Sequence, residues 1–256
     1  MSKKFLTVII VQAIALAVLA GSIISMTGIM RISSGSSGHS SEASLGSSVS
    51  EKKENNQREE VITSAEEAKK LLVLGNKRFA TERFSTKEMN ETRRKQLSEK
   101  GQKPFVTILS CSDSRVPPEL LFDQGLGDIF VVRDAGNVTD PVILGSLEYG
   151  AEHVHTPLIV VLGHEKCGAV KATVEGGDIP PNINSIVDLI LPAYNTVKLL
   201  TKDPNDLVEK CVEQNVKNSV ASIMKSTVIH HLELNKKVEV IGAKYHLETG
   251  LVEFME

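Results

Sequence analysis

Apolar runs of strand character alternate along this chain with stretches of helical periodicity, and the alternation predicts an α/β fold. The expected architecture is a mostly parallel central sheet, four parallel strands plus an antiparallel edge strand, flanked by helices and preceded by an N-terminal helical arm. Two of the runs, Val106-Thr107-Ile108-Leu109-Ser110-Cys111 and Leu158-Ile159-Val160-Val161-Leu162-Gly163-His164, are almost continuously apolar, as strands covered on both faces are. Each ends in a side chain that can bind a metal. Open α/β sheets take their ligands just outside the carboxyl ends of their strands.

In chain order, residues 1–32 read as a signal peptide or membrane anchor. Lys3 and Lys4 precede an uncharged run from Phe5 to Met30, whose densest apolar part is Val8 to Ala20. Val18-Leu19-Ala20 offers a small-residue cleavage site, and the run is also long enough to span a bilayer, which takes about 20 residues. Either reading puts the domain outside the cytoplasm, with membrane contact possible through residues 5–30; cell fractionation checks it. Residues 33–60, serine- and glycine-rich and then charged, are too polar to bury a core and read as a linker. The folded domain is expected at 61–256.

Ser64-Ala65-Glu66-Glu67 is a capping box that opens the first helix, with Ala68, Leu71, Leu72 and Gly75 on one face. A second, heavily charged helix is expected from Lys87 to Lys100, on the surface. Pro117-Pro118-Glu119 begins a short helix. Ile129-Phe130-Val131-Val132-Arg133 reads as a buried strand, Gly145 to Glu152 as helical, and Ser185–Leu200 and Asp206–Asn235 as long helical stretches. Val238 to Ala243 is a fourth strand, and Leu251 to Phe254, after the turn Glu248-Thr249-Gly250, supplies the antiparallel edge.

Composition narrows the function. At 256 residues, 41% hydrophobic and 24% charged with net charge −3, the chain has no concentrated basic face, which argues against nucleic-acid binding. Aromatics are only 4% and Trp is absent, so the core must be aliphatic. The three cysteines, Cys111, Cys167 and Cys211, do not form a disulfide framework.

The chemistry gathers at the two strand ends. Side chains of an extended segment alternate with a period of two, so Cys111, Asp113 and Arg115 would share one side. His164 is followed at i+3 by Cys167, then Gly168. Cys111, His164 and Cys167 make a Cys₂His set, the three-ligand composition of an open catalytic zinc site. A single cysteine on a buried strand usually serves as a small hydrophobe; Cys111 and Cys167 are set apart by the company of Asp113, Arg115 and His164. Cys211 lacks such company and reads as helix core. His39 stands alone in the linker, His230 and His231 are adjacent on a helix and cannot face one point, and His153 and His155 read as surface residues.

With these residues laid out, the chain from 61 to 256 resembles a β-class carbonic anhydrase. The resemblance lies in Cys111-Ser112-Asp113-Ser114-Arg115 and Gly163-His164-Glu165-Lys166-Cys167-Gly168. Gly75-Asn76-Lys77-Arg78-Phe79, Val131-Val132-Arg133-Asp134-Ala135-Gly136-Asn137 and Tyr245-His246-Leu247-Glu248-Thr249-Gly250 support it. His155 and His246 depart from the family's pattern, outside the metal motif. The resemblance implies one zinc ion per chain on Cys111, His164 and Cys167, reversible hydration of carbon dioxide to bicarbonate, and an Asp113–Arg115 pair beside the metal. It also implies a homodimer or higher even oligomer, with Gln102, Phe130 and Tyr149 lining the substrate pocket at the dimer interface. The inhibitory bicarbonate site of some members uses a Trp that this chain lacks.

Two thiolates neutralise a zinc dication, so a bound water would be acidified less than by zinc on three neutral imidazoles. Asp113 would compensate by accepting a hydrogen bond from the activated water and aiming its lone pair at carbon dioxide, with Arg115 keeping the carboxylate ionised and oriented. Three rival readings remain open at this point. A related hydrolase acting on another linear molecule such as carbon disulfide would share every ligand. A structural zinc site would need a fourth protein ligand, from Asp113 or Cys211. A thiol–disulfide pair of Cys111 and Cys167 suits an oxidising compartment but leaves His164 and the Asp–Arg pair unexplained.

Overall fold

Five strands in the order β2-β1-β3-β4-β5 carry the described part of the molecule, residues 61–255 of a computed structural model. The expected export segment and linker lie outside the described residues. β1 (Val106–Cys111) and β3 (Leu158–His164) are neighbours, and every position of both is buried. β2 (Ile129–Asp134) and β4 (Glu239–Tyr245) flank them in parallel, and β5 (Val252–Phe254) closes the β4 side as an antiparallel edge. The expected sheet is therefore the one observed. One strand differs: β2 is an edge strand rather than a buried one, and Val132 is its only buried residue. Among the described residues it pairs only with β1, and no other strand covers its outer edge.

The N-terminal arm is α1 (Ala65–Ala80). Ser64 caps it by accepting from the Glu67 amide, and Ala68, Leu72, Gly75 and Asn76 form the buried stripe, at helical spacing. Gly75 is required by contact: a Cβ there would lie 1.8 Å from the Phe122 carbonyl oxygen. Asn76 next to it donates to the Leu121 carbonyl at 3.1 Å and the Gly250 carbonyl at 2.8 Å, and accepts from the Val252 amide at 2.8 Å. The Gly75–Phe79 motif thus staples the arm to α3 (Pro118–Leu121) and to the β4–β5 turn.

α2 (Glu91–Lys100) begins four residues later than its charge pattern suggested and buries nothing. The reason is Asp123, whose buried carboxylate takes Lys87, Arg78 and both the amide and hydroxyl of Ser85. Those contacts hold the preceding segment out of the helix, which starts after the Asn90 cap.

α4 (Pro141–Glu148) runs on as a π-helical turn over Tyr149–His153. α5 (Gly168–Glu175), which the sequence pattern did not separate, follows the second ligand loop. α6 (Pro181–Val197) and α7 (Pro204–Ile223) are the long helices; α8 (Thr227–Leu234) breaks from α7 because Ser226 caps a new helix, accepting from Ile229.

Side chains from one face of the sheet pack on α1 and α3 through Leu72, Ile108, Leu121, Val160 and Leu162; on the other, Leu109, Ile159 and Val161 meet Leu147, Val216, Ile223 and Ile229. A third apolar cluster joins α5, α6 and α7 around Cys111 and Cys167. Each large aliphatic side chain so buried is worth about 1.5–3 kcal/mol of transfer free energy. The core is aliphatic, as the composition required. Among the described residues no helix is long and apolar enough to cross a membrane.

Candidate metal centre

The ladder between β1 and β3 runs to Ser110 opposite Leu162, so Cys111 and His164 leave adjacent strands at the same, carboxyl, end. A turn with Lys166 at φ +53° brings Cys167 back as the first residue before α5. The ligand atoms of Cys111, His164 and Cys167 all lie within 4.8 Å of one another, and all three residues are buried. Among the described residues this is the one such group. Cys211 stands outside it, in the apolar cluster on α7, where burial pushes its thiol up to about 11. No spare thiol is offered for a fourth position.

The imidazole is held by its other nitrogen. His164 Nδ1 lies 2.8 Å from the Glu165 carbonyl oxygen, which assigns the proton to Nδ1 and leaves a lone pair on Nε2. That Nε2 is buried and has no hydrogen-bond partner. A buried nitrogen left bare is costly unless something takes its lone pair. Two soft sulfurs beside it complete a donor set that fits zinc. The hydrogen bond from Cys167 drives the Cys111 thiol well below its ordinary range, with the Gly136 and Asp113 backbones adding to it, and Cys167 is pushed up in return.

Asp113 and Arg115 come together, but not by strand alternation. β1 ends at Cys111, and the chain turns so that Arg115 folds back on Asp113: Nε to Oδ1 at 2.9 Å, Nη2 to Oδ2 at 2.7 Å, and the Arg115 amide to Oδ1 at 2.9 Å. The side-chain bond from Arg115 is the chief reason the Asp113 carboxyl lies well below the usual carboxylate range. Asp113 Oδ2 is 3.9 Å from His164 Nε2, so the carboxylate faces the open side of the ligand cluster.

Residues 106–252 match the sequence profile of the carbonic anhydrase family. The chain belongs to the β-class carbonic anhydrases. It is 40% identical over 189 residues to a carbonic anhydrase of Mycolicibacterium smegmatis, covering 72% of this chain and 90% of that one. It is 38% identical over 186 residues to carbonic anhydrase 2 of Mycobacterium tuberculosis, covering 71% and 88%. The β-carbonic anhydrase of Coccomyxa, solved with acetazolamide, superposes at a TM-score of 0.59 with 27% identity, over 72% of this chain and 84% of that one.

Against this carbonic anhydrase frame, the expected pocket residues Gln102, Phe130 and Tyr149 are found together but away from the metal cluster. Phe130 pairs with Thr107, four positions before Cys111 on the ladder, which is about 13 Å along the strand. The Phe130 and Tyr149 rings lie 6.1 Å apart, and Gln102 and Tyr149 line one cavity of about 370 Å³ with His153 and His155. The chain therefore carries its ligand cluster at one end of the sheet and this group at the other.

Several supporting residues were given no role by the sequence reading, although Arg133, Asp134 and Gly136 lie in a motif that it quoted. Arg133 on β2 donates to the Cys111 carbonyl at 3.0 and 2.9 Å and to the Asp113 carbonyl at 2.8 Å, fixing the turn that carries Asp113. The Gly136 amide donates to Cys111 Sγ at 3.3 Å. Burial pushes the Asp134 carboxyl, opposite Cys111 on the ladder, up to about 7. Glu209 on α7 accepts from the Lys166 amide at 2.9 Å, and its other oxygen lies 3.1 Å from the buried Lys244 ammonium on β4. The available signal was the Arg133–Asn137 run, which follows a third strand to the same end of the sheet.

Proposed function

We propose that this β-carbonic anhydrase hydrates carbon dioxide reversibly to bicarbonate and a proton, with one zinc ion per chain held by Cys111, His164 and Cys167. The observation that carries the reading is the bare, buried Nε2 of His164 converging with two sulfurs. Zinc held there would supply a Lewis acid that lowers the pKa of a bound water and makes it a nucleophile. The chain's own residues do the rest. Asp113, ionised and gripped by Arg115, is an acceptor with no proton to give, so it fixes the orientation of a water or hydroxide beside the ligand cluster. Arg133 holds the Cys111 and Asp113 carbonyls, so the carboxylate keeps its place relative to the sulfur. The Glu165 carbonyl keeps the His164 proton on Nδ1.

The substrate pocket is completed, in this reading, by a second copy of the chain, giving a homodimer or a higher even oligomer. Support comes from the half-exposed edge strand β2 and the exposed Tyr149 beside Phe130, far from the chain's own metal cluster. The test is a stopped-flow hydration assay on the full chain with zinc measured on the same sample, run beside a carbon disulfide assay. Near-stoichiometric zinc with hydration is expected, and His164→Ala should lose most of both. A His164→Ala chain that kept full zinc would overturn the ligand assignment, and turnover of carbon disulfide alone would replace the substrate.

A further inference from the structure

Three polar residues on one side of α7, at i, i+4 and i+7, meet the loop after β2. Asn215 Nδ2 donates to the Gly136 carbonyl at 2.7 Å, Ser219 Oγ donates to the Asn137 carbonyl at 2.9 Å, and Thr139 Oγ1 donates to Ser222 Oγ at 2.8 Å. Asn215 and Ser219 are buried, so their polar groups are satisfied by these bonds rather than by water. The Gly136 amide, in turn, donates to Cys111 Sγ. Both peptide units that meet at Gly136 are thereby fixed, the one before it by the sulfur and the one after it by Asn215. Gly136 sits at φ +89°, and a Cβ there would come within 2.9 Å of Ile190 Cδ1 and 3.2 Å of Ala169 Cβ. A side chain would be strained at this φ and would press on Ile190 and Ala169, and the backbone is anchored on both sides.

We propose that Asn215 is a positioning residue for the metal centre, holding the Gly136 carbonyl and so fixing the orientation of the residue whose own N–H is aimed at the Cys111 sulfur. The inference rests on Cys111 being a metal ligand. An N–H donated to a thiolate draws charge off the sulfur and so leaves more positive charge on the metal it binds, against the neutralising effect of two thiolates. The Asn215 side chain makes its hydrogen bond to the Gly136 carbonyl and not to a ligand atom. Without it the Gly136 carbonyl is buried and unpaired, and the loop turns to satisfy it, taking the amide off the sulfur. Ser219 grips the next carbonyl along, that of Asn137, one residue farther from the amide that donates to sulfur, and so serves as the comparison.

The experiment uses the full chain stripped of metal and reloaded with Co(II) or Zn(II). Asn215→Leu, close to Asn in shape, should move the sulfur-to-cobalt charge-transfer band to lower energy and weaken metal binding by about 10- to 100-fold. Ser219→Ala should lower thermal stability and leave the band where it was. Should Asn215→Leu fail to fold, Asn215→Ala gives the same readout without overpacking. A parental band and affinity in the Asn215 variant would overturn the proposal, as would an equal band shift in Ser219→Ala. Failure of the ligand assignment is recognised separately, by His164→Ala binding Co(II) as tightly as the parent.

Discussion

Asp113 is gripped by a single residue through three hydrogen bonds, and the consequences at that scale are both chemical and thermodynamic. Asp113→Asn keeps the size and one acceptor but adds an N–H donor, so it can no longer act as an acceptor-only partner of water or hydroxide. The variant should keep its zinc and lose much of its hydration rate; equal rates would remove Asp113 from the mechanism. Because the Arg115 bond lowers its folded pKa, Asp113 stabilises the fold above the unfolded carboxyl value of about 3.9, and that contribution is lost as pH falls through the folded value. Arg115 is 51% exposed, so water and salt screen the pair and the contribution is small. The difference in Tm between parent and Asp113→Asn should be level from neutral pH to about pH 5 and narrow below it. A gap that widened in acid would contradict the sign.

Among the elements, α1 is fixed by the close approach of Gly75 to the segment after α3, and Asn76 uses its side-chain oxygen and nitrogen on backbone groups of Leu121, Gly250 and Val252. Gly75→Ala places a methyl group against a backbone carbonyl that cannot rotate away. It should cost about 3 kcal/mol, read as a lower denaturant midpoint at unchanged slope. Wild-type stability would mean that α1 can slide, and that the arm is not stapled where the contacts put it. The cost falls on the arm and leaves the ligand set intact, so zinc content should follow the folded fraction. α7 plays a different part. Its Glu209 holds the Cys167 loop and its Asn215 holds the Gly136 loop, so one helix braces a ligand-bearing connection and the loop that donates to the Cys111 sulfur.

For the whole molecule, the question is how two ends of one sheet serve one site. The ligand cluster lies at the carboxyl end of β1 and β3, while Phe130, Tyr149 and Gln102 lie toward the other. If a second copy brings its Tyr149 to the first copy's cluster, a His164→Ala chain and a Tyr149→Ala chain have complementary defects. Mixed and allowed to exchange subunits, the two should regain hydration that neither shows alone. Sedimentation should find even-numbered assemblies. Activity that stays at the sum of the separate variants, in samples shown to have exchanged, would mean that each chain builds its site unaided.

What the sequence determined by itself is whatever is local. A run of six or seven apolar residues declares a buried strand, and a ligand at its last position is legible because strand and ligand are contiguous; hence β1, β3, Cys111, His164 and Cys167 could be read directly. Asp113 and Arg115 were legible as a pair for the same reason, although a turn brings them together rather than strand alternation. Tertiary structure alone decided what depends on partners far along the chain. β2 is as apolar as a central strand, but sheet order leaves it at an edge. Lys87 reads as helical until the buried Asp123, 36 residues away, claims it. Asn215 looks like any polar residue on a helix until the fold sets it against Gly136, 79 residues earlier. The bare Nε2 of His164 belongs to this second kind as well. Hydrophobic periodicity records which way a side chain faces, but the partner of a buried polar atom is fixed only when separate segments close around it.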